Sequence, residues 1–154
     1  IESIRTVSVF EHQKIETWNI DTKILHELPK RLRSAQDNFS TTGGIHASGI
    51  FNKHGQLLAL REDVGRHNAL DKLIGYAFMN NLIPLHNNIL LLSGRASFEL
   101  IQKAEMAGIA IVAAIGAPSS LAVDLAKEFD ITLIGYLKDN RMNVYHQSRH
   151  HHIK

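Results

Sequence analysis

Residues 89–137 read ILLLSGRASFELIQKAEMAGIAIVAAIGAPSSLAVDLAKEFDITLIGYL, and this stretch decides the fold. Three short apolar runs, typical of strands that are covered on both faces, alternate with two amphipathic segments that begin near Ser97 and Ser119. Strands separated by helices of this length predict parallel pairing through right-handed crossovers, with helices packed against the sheet. The apolar runs cover residues 89–92, 109–115 and 131–137.

The residues before this stretch predict a helix, a hairpin and a second helix. Apolar residues recur at helical spacing over 22–36, although Pro29 inside this segment argues against an unbroken helix. Two short strands, 44–51 and 56–60, flank a turn in which Gly55 can adopt a positive φ. A helix over 65–78 and a last strand over 142–145 complete the pattern. The expected fold is therefore an α/β, three-layer α/β/α sandwich with a mixed sheet.

Nothing in the 154 residues suggests an internal linker or repeat, and 44% of them are hydrophobic, which suits one compact domain. The chain begins at Ile1, directly in a strand-like segment containing Val7 and Val9, so we expect it to be a fragment of a longer protein. Clustered histidines at a chain end are usually a frayed tail rather than a metal site. We therefore expect residues 1–146 to form a single cofactor-binding domain and residues 147–154 to be a flexible, His-rich tail.

Composition excludes several classes of function. The absence of cysteine excludes disulfides, thiolate metal sites and thiol chemistry by this chain alone. The net charge of +2 includes no basic stripe with interleaved aromatic residues, so nucleic-acid binding is not expected. The longest apolar runs are far shorter than the roughly 20 residues of a membrane helix. We expect a cytoplasmic protein with neither nucleic acid nor membrane as a partner.

Three corners, 61–68, 93–97 and 116–120, place glycine, hydroxyl side chains or arginine where a helix is predicted to begin. Helix amino termini attract anions, and the forked guanidinium groups of Arg66 and Arg95 match phosphate. Because ligands collect at the carboxyl ends of strands in such sheets, the corners predict a polyanionic ligand. The alternative is purely structural: the serines would be ordinary helix caps, and the arginines would pair with acidic residues. That alternative involves Ser97, Ser119, Ser120, Glu62, Asp63 and Asp71.

Other catalytic patterns are missing. There is no nucleotide-binding Gly-x-Gly-x-x-Gly, no phosphate-binding Gly-x-x-x-x-Gly-Lys and no Gly-x-Ser-x-Gly elbow. A serine nucleophile at Ser93 or Ser97 would need a base such as His67, and nothing in the sequence brings them together. His46 is equally well interpreted as a ligand and as a structural histidine.

Four blocks carry a family resemblance: TGGIHA at 42–47, EDVGRHNALDK at 62–72, SGRASFE at 93–99 and APSSLA at 117–122. They resemble the signature blocks of the formate dehydrogenase accessory sulfurtransferase family, FdhD, and the second block is highly specific. The resemblance implies a role in molybdenum-cofactor chemistry. In such proteins, sulfur from a cysteine desulfurase is carried as a persulfide on a Cys-x-x-Cys loop. It is given to the molybdenum bis(molybdopterin guanine dinucleotide) cofactor before that cofactor is inserted into formate dehydrogenase.

In the family that cysteine loop lies just upstream of the segment resembling Ile1-Glu2-Ser3-Ile4. We therefore expect no catalytic residue in this chain, which would hold the cofactor but be inactive alone. The resemblance also implies a homodimer, and guanine nucleotides are expected to bind as partial mimics of the cofactor. A non-catalytic chaperone that binds the molybdenum cofactor is the alternative function.

The resemblance implies that the loop 136–141 contacts the cofactor, whereas a solvated basic turn is the alternative. Asp139-Asn140 stands where relatives often carry Pro-Gly, which leaves the backbone contacts of this turn open. The expected cofactor-binding residues are Tyr136, Leu137, Lys138, Asp139, Asn140, Arg141, Gly44, His46, Glu62, Asp63, Arg66, His67, Arg95 and Ser97.

The implied fold is similar to that of cytidine deaminases, in which the corresponding corners supply a histidine or cysteine and a cysteine pair to zinc. A histidine without the cysteines cannot complete a three-ligand site, so we expect no zinc. The same cleft is then expected to bind a cofactor instead.

Overall fold

A computed structural model describes residues 18–39, 46–83 and 85–154 of the chain. The predicted strand at Val7 and Val9 lies outside the described residues, as does Gly44 of the expected site. The described elements follow the predicted order, with one further strand at each end. They are β1 (Trp18–Ile20), α1 (Thr22–Phe39), β2 (His46–Asn52), β3 (Leu57–Asp63), α2 (Arg66–Met79), β4 (Asn88–Leu92), α3 (Phe98–Met106), β5 (Ile111–Ala114), α4 (Ser120–Phe129), β6 (Thr132–Gly135), β7 (Asn143–His146) and β8 (His151–Ile153).

The main sheet has six strands in the order β3-β2-β4-β5-β6-β7. Strands β4, β5 and β6 are parallel, joined by α3 and α4, whereas β2 pairs antiparallel with both β3 and β4, and β7 pairs antiparallel with β6. The sheet is therefore mixed, as predicted. The hairpin turn between β2 and β3 contains Gly55 at a φ of +81°, which is the conformation that the sequence indicated.

Alternate residues of each strand pack on opposite faces of the sheet, and each face has its own core. On one face, Leu90 and Val112 pack against α2, α3 and α4. On the other face, Leu91 and Ala113 pack against α1. The described elements thus form the expected three-layer α/β/α sandwich, with three of the described helices on one side of the sheet and one on the other.

Helix α1 continues through Pro29 and ends at Phe39, three residues beyond the prediction. An interior proline costs roughly 3 kcal/mol, whereas full burial of one leucine contributes about 1.5–3 kcal/mol. Leu25, Leu28 and Leu32 are all fully buried beneath this helix, so packing offsets the proline. Within the described ranges, no helix combines the length and the hydropathy needed to cross a membrane.

The carboxy-terminal residues differ from the expectation of a flexible tail over 147–154. Strand β8 pairs in parallel with β1 in a separate two-stranded sheet, and the His151 side chain is only 1% exposed. Its Nδ1 lies 2.8 Å from the hydroxyl of Thr132, which also accepts a hydrogen bond from the Ser148 amide. The imidazole is therefore a buried polar group with a partner inside the fold, and the segment packs instead of fraying.

Candidate functional site

One edge of the main sheet brings together the corners that the sequence singled out. The parallel strands β4, β5 and β6 end there, and the antiparallel pairing makes β2 and β7 begin and β3 end at the same edge. We call this the carboxyl edge and define it by five segments. They are residue 46, residues 61–67, residues 93–97, residues 116–119 and residues 136–141.

The loop after β4 is tied to the beginning of β2. The Ala47 amide donates to Ser93 Oγ at 2.8 Å, and the Ser93 amide donates to the Ala47 carbonyl at 3.0 Å. Gly94 lies against the imidazole of His46: a Cβ added to Gly94 would be 3.2 Å from Nδ1 of that ring. His46 therefore helps to shape the loop that carries Arg95, in addition to facing the carboxyl edge.

The loops after β4 and β5 are hydrogen-bonded to each other. The Gly116 amide donates to the Gly94 carbonyl at 3.0 Å, and the Ala96 amide donates to the Ala117 carbonyl at 3.2 Å. The Ser119 amide donates to the Ala96 carbonyl at 3.0 Å. These bonds hold the amino termini of α3 and α4 next to each other, so two helix dipoles present their positive ends at the carboxyl edge.

Two of the predicted hydroxyl residues are helix caps. Ser97 Oγ accepts a hydrogen bond from the Leu100 amide, and Ser119 Oγ accepts one from the Ala122 amide. The structural explanation thus holds for both serines, and Ser97 can offer a ligand only the hydrogen-bonding capacity that the cap leaves over. Ser120 is the first residue of α4.

Two of the acidic residues near the corners, Asp63 and Asp71, pair with lysines. Asp63 Oδ2 lies 3.6 Å from Lys72 Nζ, and Asp71 Oδ1 lies 3.0 Å from Lys103 Nζ. Within the described ranges, the four arginines of the carboxyl edge form no ion pair with a carboxylate; they are Arg61, Arg66, Arg95 and Arg141. A direct ion pair is therefore not the role of Arg66 or Arg95, although the charge of Arg66 lowers the pKa of Glu99.

Within the part of the chain that the structure describes, two buried polar atoms of the carboxyl edge have no hydrogen-bond partner. They are Oε2 of Glu62, at the end of β3, and Nε of Arg66, in the first turn of α2. An unsatisfied buried group costs about 1–3 kcal/mol, and more when it is charged. Such groups need an explanation, and a polar ligand that engages Glu62 or Arg66 is one.

Two carboxylates at this edge are stabilised in the charged form. Burial acts to raise the pKa of Asp63, but the Val64 amide, Lys72 and the Asn68 side chain together hold that pKa below its usual value. The pKa of Glu99 is lowered by its own backbone N–H, against an opposing effect of burial, and further by Ser97, His67 and Arg66. Glu99 was not predicted as a site residue, although its place in the first turn of a helix was a usable signal.

The loop 136–141 bridges the space above β6 and β7. Tyr136 has a φ of +52°, and its amide donates to the Gly116 carbonyl at 3.1 Å. The Leu137 side chain is fully buried, so this predicted site residue can offer a ligand only backbone atoms. The other predicted residues of the loop are exposed or half-exposed at the carboxyl edge. They are Tyr136, Lys138, Asp139, Asn140 and Arg141.

A cleft lies at the opposite edge of the sheet from the carboxyl edge. Its volume is about 220 Å³, and it lies at the amino ends of β4, β5 and β6. Its lining includes the Asp130 carboxylate, which pairs with His146 at 2.8 Å and with Arg149 at 3.6 Å. Because its arginine already faces a carboxylate, this cleft is less suited to a phosphate than the carboxyl edge is.

Comparison with known proteins agrees with this architecture. The closely similar curated proteins are named sulfur carrier protein FdhD. One from Streptomyces avermitilis is 50% identical over 145 residues, which cover 94% of this chain and 51% of that protein. Another, from Nocardia farcinica, is 57% identical over 122 residues, which cover 79% of this chain and 44% of that protein. The chain thus spans about half the length of the curated relatives it matches.

Solved structures show the same fold. A crystal structure from Desulfotalea psychrophila, described as that of a formate dehydrogenase accessory protein, superimposes with a TM-score of 0.77 at 27% identity. The match covers 88% of this chain and 58% of the solved chain. A variant of the protein NE0047 in complex with 8-azaguanine gives a TM-score of 0.57 at 12% identity, and the match covers 76% of this chain and 78% of the solved chain. That second likeness concerns the fold alone.

The sequence profile of the FdhD/NarQ family matches residues 2–152, nearly the whole chain. The described residues of the four sequence blocks that suggested this relationship either lie at the carboxyl edge or adjoin it. The chain therefore belongs to the FdhD/NarQ family.

Proposed function

We propose that this chain is the cofactor-holding part of a sulfurtransferase. In the whole protein, sulfur from a cysteine desulfurase would be carried as a persulfide to the molybdenum bis(molybdopterin guanine dinucleotide) cofactor, which is the substrate, before formate dehydrogenase uses it. The relatives named sulfur carrier protein FdhD and the structural neighbour described as a formate dehydrogenase accessory protein support this proposal. The cytoplasm is the compartment in which these partners would meet.

The observation that carries the proposal is a set of cations beside helix amino termini that form no ion pair with a carboxylate of the described residues. Arg95 follows β4 and Arg141 precedes β7, and one strand spacing is about 4.8 Å, so the loops after β4 and β6 are roughly 10 Å apart. A guanine dinucleotide carries phosphates over a span of this order. Arg66, Arg95, Lys138 and Arg141 would contact those phosphates, and His46, Glu62, Asp63 and His67 would surround the ligand.

A second candidate is a chaperone that binds the cofactor and delivers it without chemistry. The observation in its favour is that these 154 residues contain no cysteine and so cannot themselves hold a persulfide. A cysteine variant of the whole protein separates the two candidates. If the dehydrogenase fails to mature while the cofactor still binds, the protein is a sulfurtransferase; if maturation continues, it is a chaperone. A homodimer is part of either proposal.

Calorimetric titration with GDP, a partial mimic of the cofactor, tests the shared part of both candidates. The unmodified chain should bind GDP, and added salt should weaken binding because the contacts are between cations and phosphate. Arg95→Ala should weaken binding about tenfold or more, since a charged hydrogen bond contributes about 1.5–3 kcal/mol.

Arg149→Ala is the matched control, because it removes the same charge from the opposite edge of the sheet. Its GDP affinity should equal that of the unmodified chain. Equal losses in Arg95→Ala and Arg149→Ala, or binding that is indifferent to salt, would contradict a phosphate site at the carboxyl edge.

A further inference from the structure

His26, on α1, contacts the loop 136–141, which follows β6. Its Nδ1 lies 2.6 Å from the carbonyl oxygen of Lys138, a residue 112 positions away in the sequence. A carbonyl oxygen can only accept, so Nδ1 must carry the hydrogen in this contact. No sequence pattern marked His26, because it lies in none of the four family blocks and is followed by ordinary helix.

The contact fixes the middle of the loop. The first part is held by backbone bonds, in which the Tyr136 amide donates to Gly116 and the Leu137 amide donates to Ala114. Beyond Leu137, the Lys138 amide donates to the Arg141 carbonyl at 2.9 Å and closes the turn on itself. Over the described ranges, the hydrogen bond from His26 is the one that joins this turn to a side chain elsewhere in the protein.

The anchor at the other end of the contact is rigid. Leu25 and Leu28, on either side of His26 along α1, are fully buried against the sheet, so the helix cannot shift without opening the core. His26 itself is half-buried, and its ring has only two rotatable bonds, so little entropy is lost in making the hydrogen bond.

We infer that His26 is a positioning residue for the substrate-binding loop: through the Lys138 carbonyl it sets where Lys138 and Arg141 present their charges. The inference rests on the proposed function, because its consequence is tighter binding of phosphate groups at the carboxyl edge. His26 does not touch the ligand. Without it, the turn would still close on itself but would move relative to Arg95, and a ligand would have to order it again on binding.

The test compares His26→Ala with His26→Asn in the 154-residue chain, using GDP calorimetry and hydrogen exchange of the amides 138–141. Asparagine places an N–H at the position of imidazole Nδ1, so it keeps the hydrogen bond and removes the ring. His26→Ala should speed exchange of the turn and weaken GDP binding about fivefold, the effect of one ordinary hydrogen bond. His26→Asn should restore both within about twofold. His54→Ala, an exposed histidine in the hairpin turn, is the matched control and should change neither.

A merely structural role for His26 would give a different pattern. Thermal stability would fall in both variants, and GDP affinity would fall with thermal stability whether or not the new side chain carries an N–H donor. That result, or unchanged exchange and affinity in His26→Ala, would overturn the inference. If the unmodified chain fails to bind GDP, the proposed function fails, whereas the exchange measurement still shows whether His26 holds the turn.

Discussion

Gly116→Ala is expected to destabilise the protein by about 1–3 kcal/mol and to weaken GDP binding at least tenfold. A Cβ at position 116 would lie 2.9 Å from the Gly94 carbonyl oxygen, 3.0 Å from its carbon and 3.1 Å from the Arg95 amide nitrogen. All three are backbone atoms, so the overlap cannot be relieved by rotation of a side chain. The loop that carries Arg95 must move away from the loop after β5.

The loss of affinity follows from the same displacement. The Gly116 amide bonds to Gly94, and the Gly116 carbonyl accepts from Tyr136, so this residue connects the loop after β4 to the loop after β6. A shift at Gly116 changes the spacing between Arg95 and the turn at 138–141. Catalytic and binding groups lose much of their effect when displaced by about 1 Å.

Gly75→Ala is the control for this prediction. A Cβ there has no neighbouring atom within 4 Å, and the residue is an exposed position inside α2. Alanine favours a helix over glycine by roughly 1 kcal/mol, so this variant should be as stable as the unmodified protein or more stable, with unchanged GDP affinity. Chemical denaturation and calorimetry measure both quantities, and a Gly116→Ala protein that behaves like Gly75→Ala would contradict the close approach of the two loops.

Acidification from pH 6.5 to pH 4 is expected to remove up to about 3 kcal/mol of stability through His151. Burial, together with the neighbouring His150 and His152, lowers the pKa of His151 to about 4, against an opposing effect of Asp130. An unfolded histidine titrates near 6.5, so between these two pH values the unfolded state binds the proton more tightly. The contribution of neutral His151 to the free energy of unfolding is complete above pH 6.5 and is lost as the pH falls towards 4. Below pH 4 it does not change further.

His151→Asn isolates this effect in denaturation experiments at several pH values. The amide oxygen of asparagine takes the place of Nδ1 opposite Thr132 and does not titrate. The slope of the free energy of unfolding against pH should therefore fall, between pH 6.5 and pH 4, by the amount that corresponds to about one bound proton. His152→Asn, on an exposed neighbour, should leave the slope unchanged. Burial acts to raise the pKa of Asp130, but hydrogen bonds from His146, Ser148 and Arg149 outweigh it and lower that pKa, so this stabilisation is lost as the pH falls below the ordinary aspartate value of about 3.9. An unchanged slope in His151→Asn would show that β8 is not packed as described.

The order of helices and strands in the main sheet was predictable because each element carries its own periodicity. The segments around Leu90, Val112 and Leu133 are apolar on both sides, and the helices between them show one apolar face. Topology rules then bring their ends to one edge, which is why Arg66, Arg95 and the loop 136–141 were expected near each other.

The features that sequence could not predict depend on contacts between distant segments. Strand β8 pairs with β1, and Ser148 and His151 bond to Thr132 of β6, whereas local composition alone suggested a frayed tail. Asp71 pairs with Lys103 because α2 and α3 lie side by side, and Asp63, at the end of β3, pairs with Lys72 on α2, so neither carboxylate pairs with an arginine. His26 likewise acts on a loop more than a hundred residues away.

Hydrogen exchange of the chain with and without GDP tests the central claim most directly, because it locates the ligand without any substitution. The account predicts slower exchange in residues 62–67, 93–97 and 136–141, with no change at residues 147–153 on the opposite edge. Protection confined to the cleft around Asp130 and Arg149, or no protection at all at saturating GDP, would contradict a phosphate-binding carboxyl edge.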